Sequence, residues 1–208
     1  MKKKILLMVF AFGALTFVAC NDANKKENSA ETEQMEAERQ AQMQAEKEKM
    51  EFESNSIAAK AADTDSLSSL NDALQSAEMN ELLTVSEGPY TVFAPDNAAF
   101  SKVDKATLDT LMKPENREKF AGLLEYHVVE DKITAEDLAK KIDGDDGEYT
   151  IATLNGGELK ATKEGNNIVL TDEMGNKATI VKTDIEASNG IIHIIDAVVM
   201  PKSEDTEI

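Results

Sequence analysis

The sequence predicts an α+β protein, because its helical patterns come mostly first and its strand patterns mostly last. Between residues 66 and 125 apolar side chains recur every three to four positions, as they do on one face of a helix. From Glu148 onward short apolar runs are separated by Gly and Asn turns, a pattern typical of strands joined by tight turns. This order argues against a repeating βαβ sheet.

The first nineteen residues have the pattern of a bacterial signal peptide. Lys2-Lys3-Lys4 precedes an apolar run from Ile5 to Val18, which is too short to span a bilayer well. The run ends at Cys20, the only cysteine of the chain, so no intramolecular disulfide can form. Phe17-Val18-Ala19-Cys20 resembles a lipobox, in which the cysteine takes a diacylglycerol and becomes the new N-terminus.

Two outcomes are open at this cysteine. Either Cys20 is lipidated and contacts the membrane through its lipid, or ordinary cleavage near Ala19 leaves a free thiol. Enterobacterial-type lipoproteins kept in the inner membrane carry Asp after the cysteine, whereas this chain carries Asn21. We therefore predict a signal peptide over residues 1–19, lipidation of Cys20, and location at the outer membrane.

Residues 20–64 are predicted to form the lipidated N-terminus and a polar, helical tether. The stretch after Cys20 has no Gly, Pro, Tyr, Trp or Val and consists largely of Glu, Gln, Lys, Ala and Met. Such residues favour a helix but leave little to bury, so Ser29–Glu53 is expected to be a solvated helix. Its three methionines fall near one stripe, which leaves an oligomerising helix as the alternative: Met35, Met43 and Met50.

The helices of the domain follow in order along the chain. An amphipathic helix is expected over 66–83, broken near its end, because its leucines and alanines have helical spacing. Asp96 can cap a short helix, and Pro114 suits the first position of a helix that runs to about Glu125. A further helical turn or two is expected at 107–112. Thr134 and the acidic residues after it are typical of a capping box.

The strands are predicted from short apolar runs bounded by turn residues. The last run, Ile191 to Met200, is almost wholly apolar, so it should lie in the centre of the sheet, buried on both faces. Asn189-Gly190, before it, is a turn signal, since Gly accepts backbone angles that a side chain would strain. The other predicted strands are Tyr90–Ala94, Tyr126–Val129, 149–152, 159–162, 168–170 and 178–181.

Composition and motifs weigh against several classes of function. The net charge of −18 disfavours nucleic acid as a partner, because phosphate binding needs a basic surface. No nucleophile elbow, Walker loop or dinucleotide fingerprint is present. His127 and His193 are the only histidines, so no metal site, cofactor or catalytic residue is predicted. The acidic run 143–148 lacks the spacing of an EF-hand, which leaves weak cation binding open.

Three stretches together resemble the fasciclin-like domain family. Thr91–Phe100 looks like the first signature of that family, Tyr126–Val129 like its Tyr-His motif, and Asp184–Asp196 like its second signature. The resemblance covers residues 65–202 and leaves an acidic tail at 203–208. It implies a wedge of two β-sheets with helices packed along one side. It also implies a non-enzymatic adhesion module that binds a protein or polysaccharide.

The resemblance makes Tyr126 and His127 the candidate binding residues. The motif in that family is linked both to fold integrity and to adhesion, and we expect a structural role before direct contact with a partner. The predicted function is a cell-envelope lipoprotein that mediates adhesion or binds a macromolecule of the matrix. The alternative is a solute- or glycan-binding lipoprotein with a cleft between helices and sheets. The third hypothesis is an enzyme.

Overall fold

The computed structural model describes residues 23–202, with side chains from Met35 onward. The predicted signal peptide, Cys20 and the acidic tail lie outside the described residues. Within the described residues the chain divides into two compact units, with the boundary between Lys47 and Glu48. The helix expected over Ser29–Glu53 is present as α1 (Ala23–Ser54), and the methionines at positions 35, 43 and 50 are exposed.

Seven further α-helices belong to the second unit. The helix expected over 66–83 is indeed broken: α3 and α4 are separated by Glu78, which has a positive φ of 58°. Thr134 caps α8 through the predicted capping box, with Asp137 as its partner. Short 3-10 turns lie at Asp65–Leu67 and Pro114–Asn116. The helices are α2 (Ile57–Ala62), α3 (Ser68–Ser76), α4 (Asn80–Val85), α5 (Asn97–Lys102), α6 (Lys105–Leu111), α7 (Arg117–Glu125) and α8 (Ala135–Gly144).

Seven strands form one mixed sheet that is nearly a barrel. Its order is β2-β1-β7-β6-β5-β4-β3, and only the β1–β7 pair is parallel. The long strand β6 has two register shifts against β7. Its first residues pair with β5 and its later residues pair with β7, so β6 connects the two halves of the expected wedge. The strands are β1 (Tyr90–Pro95), β2 (Val128–Val129), β3 (Glu148–Ala152), β4 (Glu158–Glu164), β5 (Asn167–Thr171), β6 (Lys177–Ala187) and β7 (Gly190–Ile195).

The last strand lies at the centre, as its apolar sequence predicts. All six residues of β7 are buried, between β1 and β6. The strand is shorter than expected: it ends at Ile195, and the backbone N–H of Asp196 makes one further hydrogen bond, to Thr179 O of β6. Met200 lies beyond the strand, where its N–H donates to the Asp172 carboxylate at 2.9 Å.

Two apolar clusters make up the core. The first packs α2, α3, α4 and α7 against one face of β1 and β7, around residues such as Leu67, Leu83 and Ile192. The second fills the space enclosed by the strands and α8, around Phe93, Leu138 and Leu170. The helices thus cover one side of the sheet, in agreement with the α+β class.

The core begins earlier in the chain than the predicted domain boundary between residues 64 and 65. Ile57 and Ala61 of α2 are each only 1% exposed and pack in the first cluster. Just before α2, Asn55 O accepts from Ser188 N at 2.9 Å, and Phe52 O accepts from Ser188 Oγ at 2.7 Å. We therefore propose that the folded domain starts between residues 48 and 55, and that the tether is correspondingly shorter.

Candidate functional site

The two candidate binding residues lie where α7 ends, and the strand predicted over them is shorter than expected. Tyr126 keeps helical backbone angles as the C-cap of α7, and the His127 N–H donates to Leu124 O at 3.0 Å. Extended backbone therefore begins only at Val128. The reason is that the helical hydrogen-bond pattern continues through both residues before the chain enters β2.

Tyr126 is completely buried and braces two turns of the sheet. Its hydroxyl donates to Glu158 O at 2.6 Å and accepts from the Glu173 N–H at 3.2 Å. Gly157 makes room for the ring, since a Cβ at that position would lie 2.7 Å from Tyr126 Cε2. Burial raises the pKa of Tyr126 to about 12, so the hydroxyl keeps its proton and its role as donor at physiological pH.

His127 is 2% exposed and caps the C-terminal end of α7. Its Nδ1 lies 2.8 Å from Leu123 O. Because a carbonyl oxygen can only accept, Nδ1 carries the proton, and Nε2 is left as an unprotonated acceptor. Nε2 has no hydrogen-bond partner within the described part of the chain and faces a small cavity lined almost wholly by aliphatic side chains.

The surroundings of His127 keep its imidazole neutral. Burial lowers the pKa of His127 to about 4, and this exceeds the opposing effects of the bond to Leu123 and of the Asp172 carboxylate. As a neutral, buried group, the imidazole packs within the core and caps α7. The structure therefore brings Tyr126 and His127 together as fold-stabilising residues, while any role of theirs in binding stays a prediction.

We expect stability to fall as the pH is lowered from about 6.5 to 4. In that window the unfolded chain binds a proton on His127 that the folded chain excludes, so the free energy of unfolding falls by about 3 kcal/mol. Urea unfolding at pH 7 and pH 4 measures the change. His127→Gln removes the titrating group, and its loss over the same range should be smaller by that amount. Equal losses in both proteins would contradict the assignment.

His193 is held differently from His127, because both of its nitrogens have partners. Nδ1 accepts from the Asp184 N–H at 3.3 Å, so Nε2 carries the proton and donates to Ile133 O at 2.8 Å. The ring stacks on Phe93 with centroids 5.7 Å apart. Burial lowers the pKa of His193 as well. Both histidines therefore act as packed, neutral groups.

The sequence predicts Asn189 only as part of a turn, whereas in the structure its side chain connects several elements. Its side chain is 1% exposed and uses both ends of the amide. Oδ1 accepts from the Ile57 N–H at 2.9 Å, and Nδ2 donates to Leu83 O at 2.9 Å and to Ser86 O at 3.2 Å. One side chain thus joins α2, α4 and the start of β7.

Asp172 is a second such residue, in the turn between β5 and β6. Its carboxylate is 4% exposed and accepts from the backbone N–H groups of Met174, Asn176 and Met200 and from the Asn176 amide. A buried carboxylate with four donors is satisfied by the fold itself. The Asp–x–x–x–Asn spacing in the sequence is the pattern from which this turn could have been predicted.

The acidic run 143–148 is exposed and extends from the last turn of α8 to the first residue of β3. Asp143 accepts from Lys163 Nζ at 2.6 Å, and Glu148 accepts from Lys160 Nζ at 2.8 Å. Among the residues that the structure describes, no three His, Cys, Asp or Glu side chains come together as possible metal ligands. Within the same range, no helix is long and apolar enough to cross a membrane.

Comparisons with known proteins agree with this fold and these motifs. The Fasciclin domain family model matches residues 65–201. Protein sll1483 of Synechocystis sp. is 39% identical over 145 residues, which are 70% of this chain and 73% of that protein. Cell surface glycolipoprotein MPB83 of Mycobacterium bovis is 31% identical over 151 residues, 71% of this chain and 61% of that protein.

A solved structure shows the same fold. It is the FAS1 domain pair of the insect cell adhesion molecule Fasciclin I, with a TM-score of 0.58 and 21% sequence identity. The match covers 70% of this chain and 51% of that chain, so this chain spans about half of the solved pair. The fold and the motifs are those of a fasciclin-type module. The chain belongs to the fasciclin domain family.

Proposed function

We propose that the domain binds a macromolecular partner, a protein or polysaccharide, at the bacterial cell envelope, and that it acts as a binding module and not as an enzyme. The family membership carries this proposal. The histidines and the Tyr126 phenol, which are the groups most suited to acid–base chemistry, are buried and act within the core. The described surface is instead rich in carboxylates and hydroxyls.

The solute-binding alternative receives no support from the enclosed cavity beside His127. That cavity has about the space of a single water molecule, and its lining is aliphatic apart from the imidazole. A glycan needs polar groups and exposed aromatic faces instead. Tyr126 is fully buried, and the Tyr149 ring is occupied on one side by Lys141, whose Nζ lies 4.7 Å from the ring centroid.

The proposal is tested by measuring adhesion and stability together. We expect Tyr126→Ala and His127→Ala to lower both adhesion and stability. Because each leaves a buried hydrogen-bonding partner unsatisfied, the free energy of unfolding should fall by about 1–3 kcal/mol or more. The measurements are thermal unfolding and binding of coated beads to cells. If adhesion is lost at an unchanged melting temperature, the residues contact the partner directly. If deleting residues 48–202 leaves adhesion of the expressing cells unchanged, the proposed function is wrong.

We propose further that the protein is anchored through a lipid on Cys20. This extension rests on the lone cysteine at the end of the apolar run and on the resemblance of 17–20 to a lipobox. Cys20→Ala is expected to move the protein from the detergent phase to the aqueous phase in Triton X-114 partition, because the acyl chains supply the membrane affinity. Ser66→Ala, in the domain, is the control. Equal partition of wild type and Cys20→Ala would exclude the lipid anchor.

A further inference from the structure

The edge strands β2 and β3 face each other across a gap, and within the described residues one backbone hydrogen bond is found across it. Because β2 and β3 are the edge strands, each has one side without a neighbouring strand. The Leu154 N–H donates to Val128 O at 2.7 Å and closes the gap there. Beyond this bond the strands diverge and leave an open groove with a volume of ≈ 320 Å³. We name this groove the β2–β3 seam, bounded by residues 128–131 and 148–154.

The free edge of β3 presents backbone donors and acceptors to the seam. In an antiparallel strand the N–H and C=O groups of alternate residues point to the same side. Thr153 donates to Gly157 O on the β4 side, so the backbone groups of the alternate residues Ala152 and Thr150 point away from β4, toward the seam. On the opposite side Glu130, just after β2, lines the seam. Within the described residues no ladder pairs β2 with β3 along this length.

The seam also has an apolar floor, in which the partly buried Tyr149 and Leu154 remain accessible beside the buried Ile133 and Ile151. Free backbone groups above an apolar floor suit an extended chain, which adds its own hydrogen bonds to the edge and places alternate side chains downward. Neither a helix nor a compact solute can satisfy a row of edge groups in this way.

The charge of the residues around the seam indicates which kind of extended chain would bind there. Glu130 is exposed at the rim and makes no ion pair within the described part of the chain. Asp131 and Glu148 add two further carboxylates, which Lys141 and Lys160 only partly offset. A second copy of this chain is disfavoured as occupant, because two chains of net charge −18 repel each other. A basic segment is attracted.

We propose that the β2–β3 seam binds an extended segment of a partner protein in which basic and apolar residues alternate, by addition of a strand to the free edge of β3. This inference rests on the proposed function and specifies both the partner class and the surface.

The test uses the full chain and a ten-residue peptide that alternates Lys and Val. Ala152→Pro removes the N–H that faces the seam, and a proline is tolerated on an edge strand where the N–H is not part of the ladder. We expect its Kd for the peptide to rise at least tenfold, and that of Glu130→Gln about threefold. Ala152→Ser keeps the N–H and should bind as the wild type does. The same peptide with Glu in place of Lys should not bind measurably.

Hydrogen exchange provides a readout that does not depend on any variant. On addition of the Lys-Val peptide to the wild type, exchange of the Thr150 and Ala152 amides should slow. No binding of this peptide, equal binding by Ala152→Pro, or unchanged exchange at both amides overturns the proposal. If bead adhesion requires residues 48–202 but is unaffected by Ala152→Pro, the proposed function stands and the seam is excluded as its site.

Discussion

A chain that begins at Asp63 is expected to lose about 5 kcal/mol of folding free energy relative to one that begins at Glu48. The shorter chain lacks α2, whose Ile57 is 1% exposed in the core. Fully burying such a side chain contributes about 1.5–3 kcal/mol, and two buried alanines add to this. The loss also leaves Asn189 Oδ1 without the Ile57 N–H, at a further cost of about 1–3 kcal/mol.

Urea unfolding of residues 48–202 and 63–202 measures this difference. Because a domain of this kind has a stability of about 5–15 kcal/mol, the shorter chain should be marginal or molten. Ile57→Ala in the longer chain separates burial from chain length, and should itself cost about 2–5 kcal/mol. Met50→Ala is the matched control, since that side chain is 60% exposed. Equal stability of the two chains would return the domain boundary to its predicted place between residues 64 and 65.

Gly190→Ala is expected to destabilise the domain by about 3 kcal/mol or more. Gly190 pairs with Tyr90 at the start of the parallel β1–β7 ladder. A Cβ at Gly190 would lie 2.0 Å from Tyr90 O and 2.8 Å from its carbonyl carbon. Both are backbone atoms, and Tyr90 is held in place by its N–H, which donates to Asn189 O at 2.9 Å. The strands β1 and β7 would therefore have to separate.

Thermal and urea unfolding of Gly190→Ala check this expectation, with Gly122→Ala as the control. A Cβ at Gly122 meets nothing within 4 Å, and that glycine lies inside α7, so alanine there should be neutral or stabilising by up to about 1 kcal/mol. A melting temperature of Gly190→Ala within error of the wild type would show that the strands can move apart without cost.

Local patterns in the sequence predicted most helices and strands, because each of these depends on near neighbours in the chain. The capping box at Thr134 and the central position of the last strand are examples that the structure confirms. The Tyr-His stretch shows the limit of this approach. Its residues have strand propensity, but hydrogen bonds to the preceding helical turn keep Tyr126 and His127 out of β2.

What the sequence could not reveal are contacts between residues far apart in the chain. Ile57 is one apolar residue in a polar segment, and its burial depends on a space between α3, α4 and β7 that forms only after folding. The sequence likewise indicates that Gly190 is a turn glycine but not that it contacts Tyr90, because nothing in the sequence places β1 beside β7. The burial of Tyr126 likewise depends on the distant Gly157.

The hydrogen bonds of Asn189 have a consequence for how the chain acquires its structure. Its side-chain partners lie 132 and 106 residues earlier in the sequence, and its neighbour β7 is the last strand to be synthesised. The N-terminal helices therefore cannot complete their packing while the chain is still emerging. Folding must wait for nearly the entire domain, and contacts of such long sequence separation make it slow.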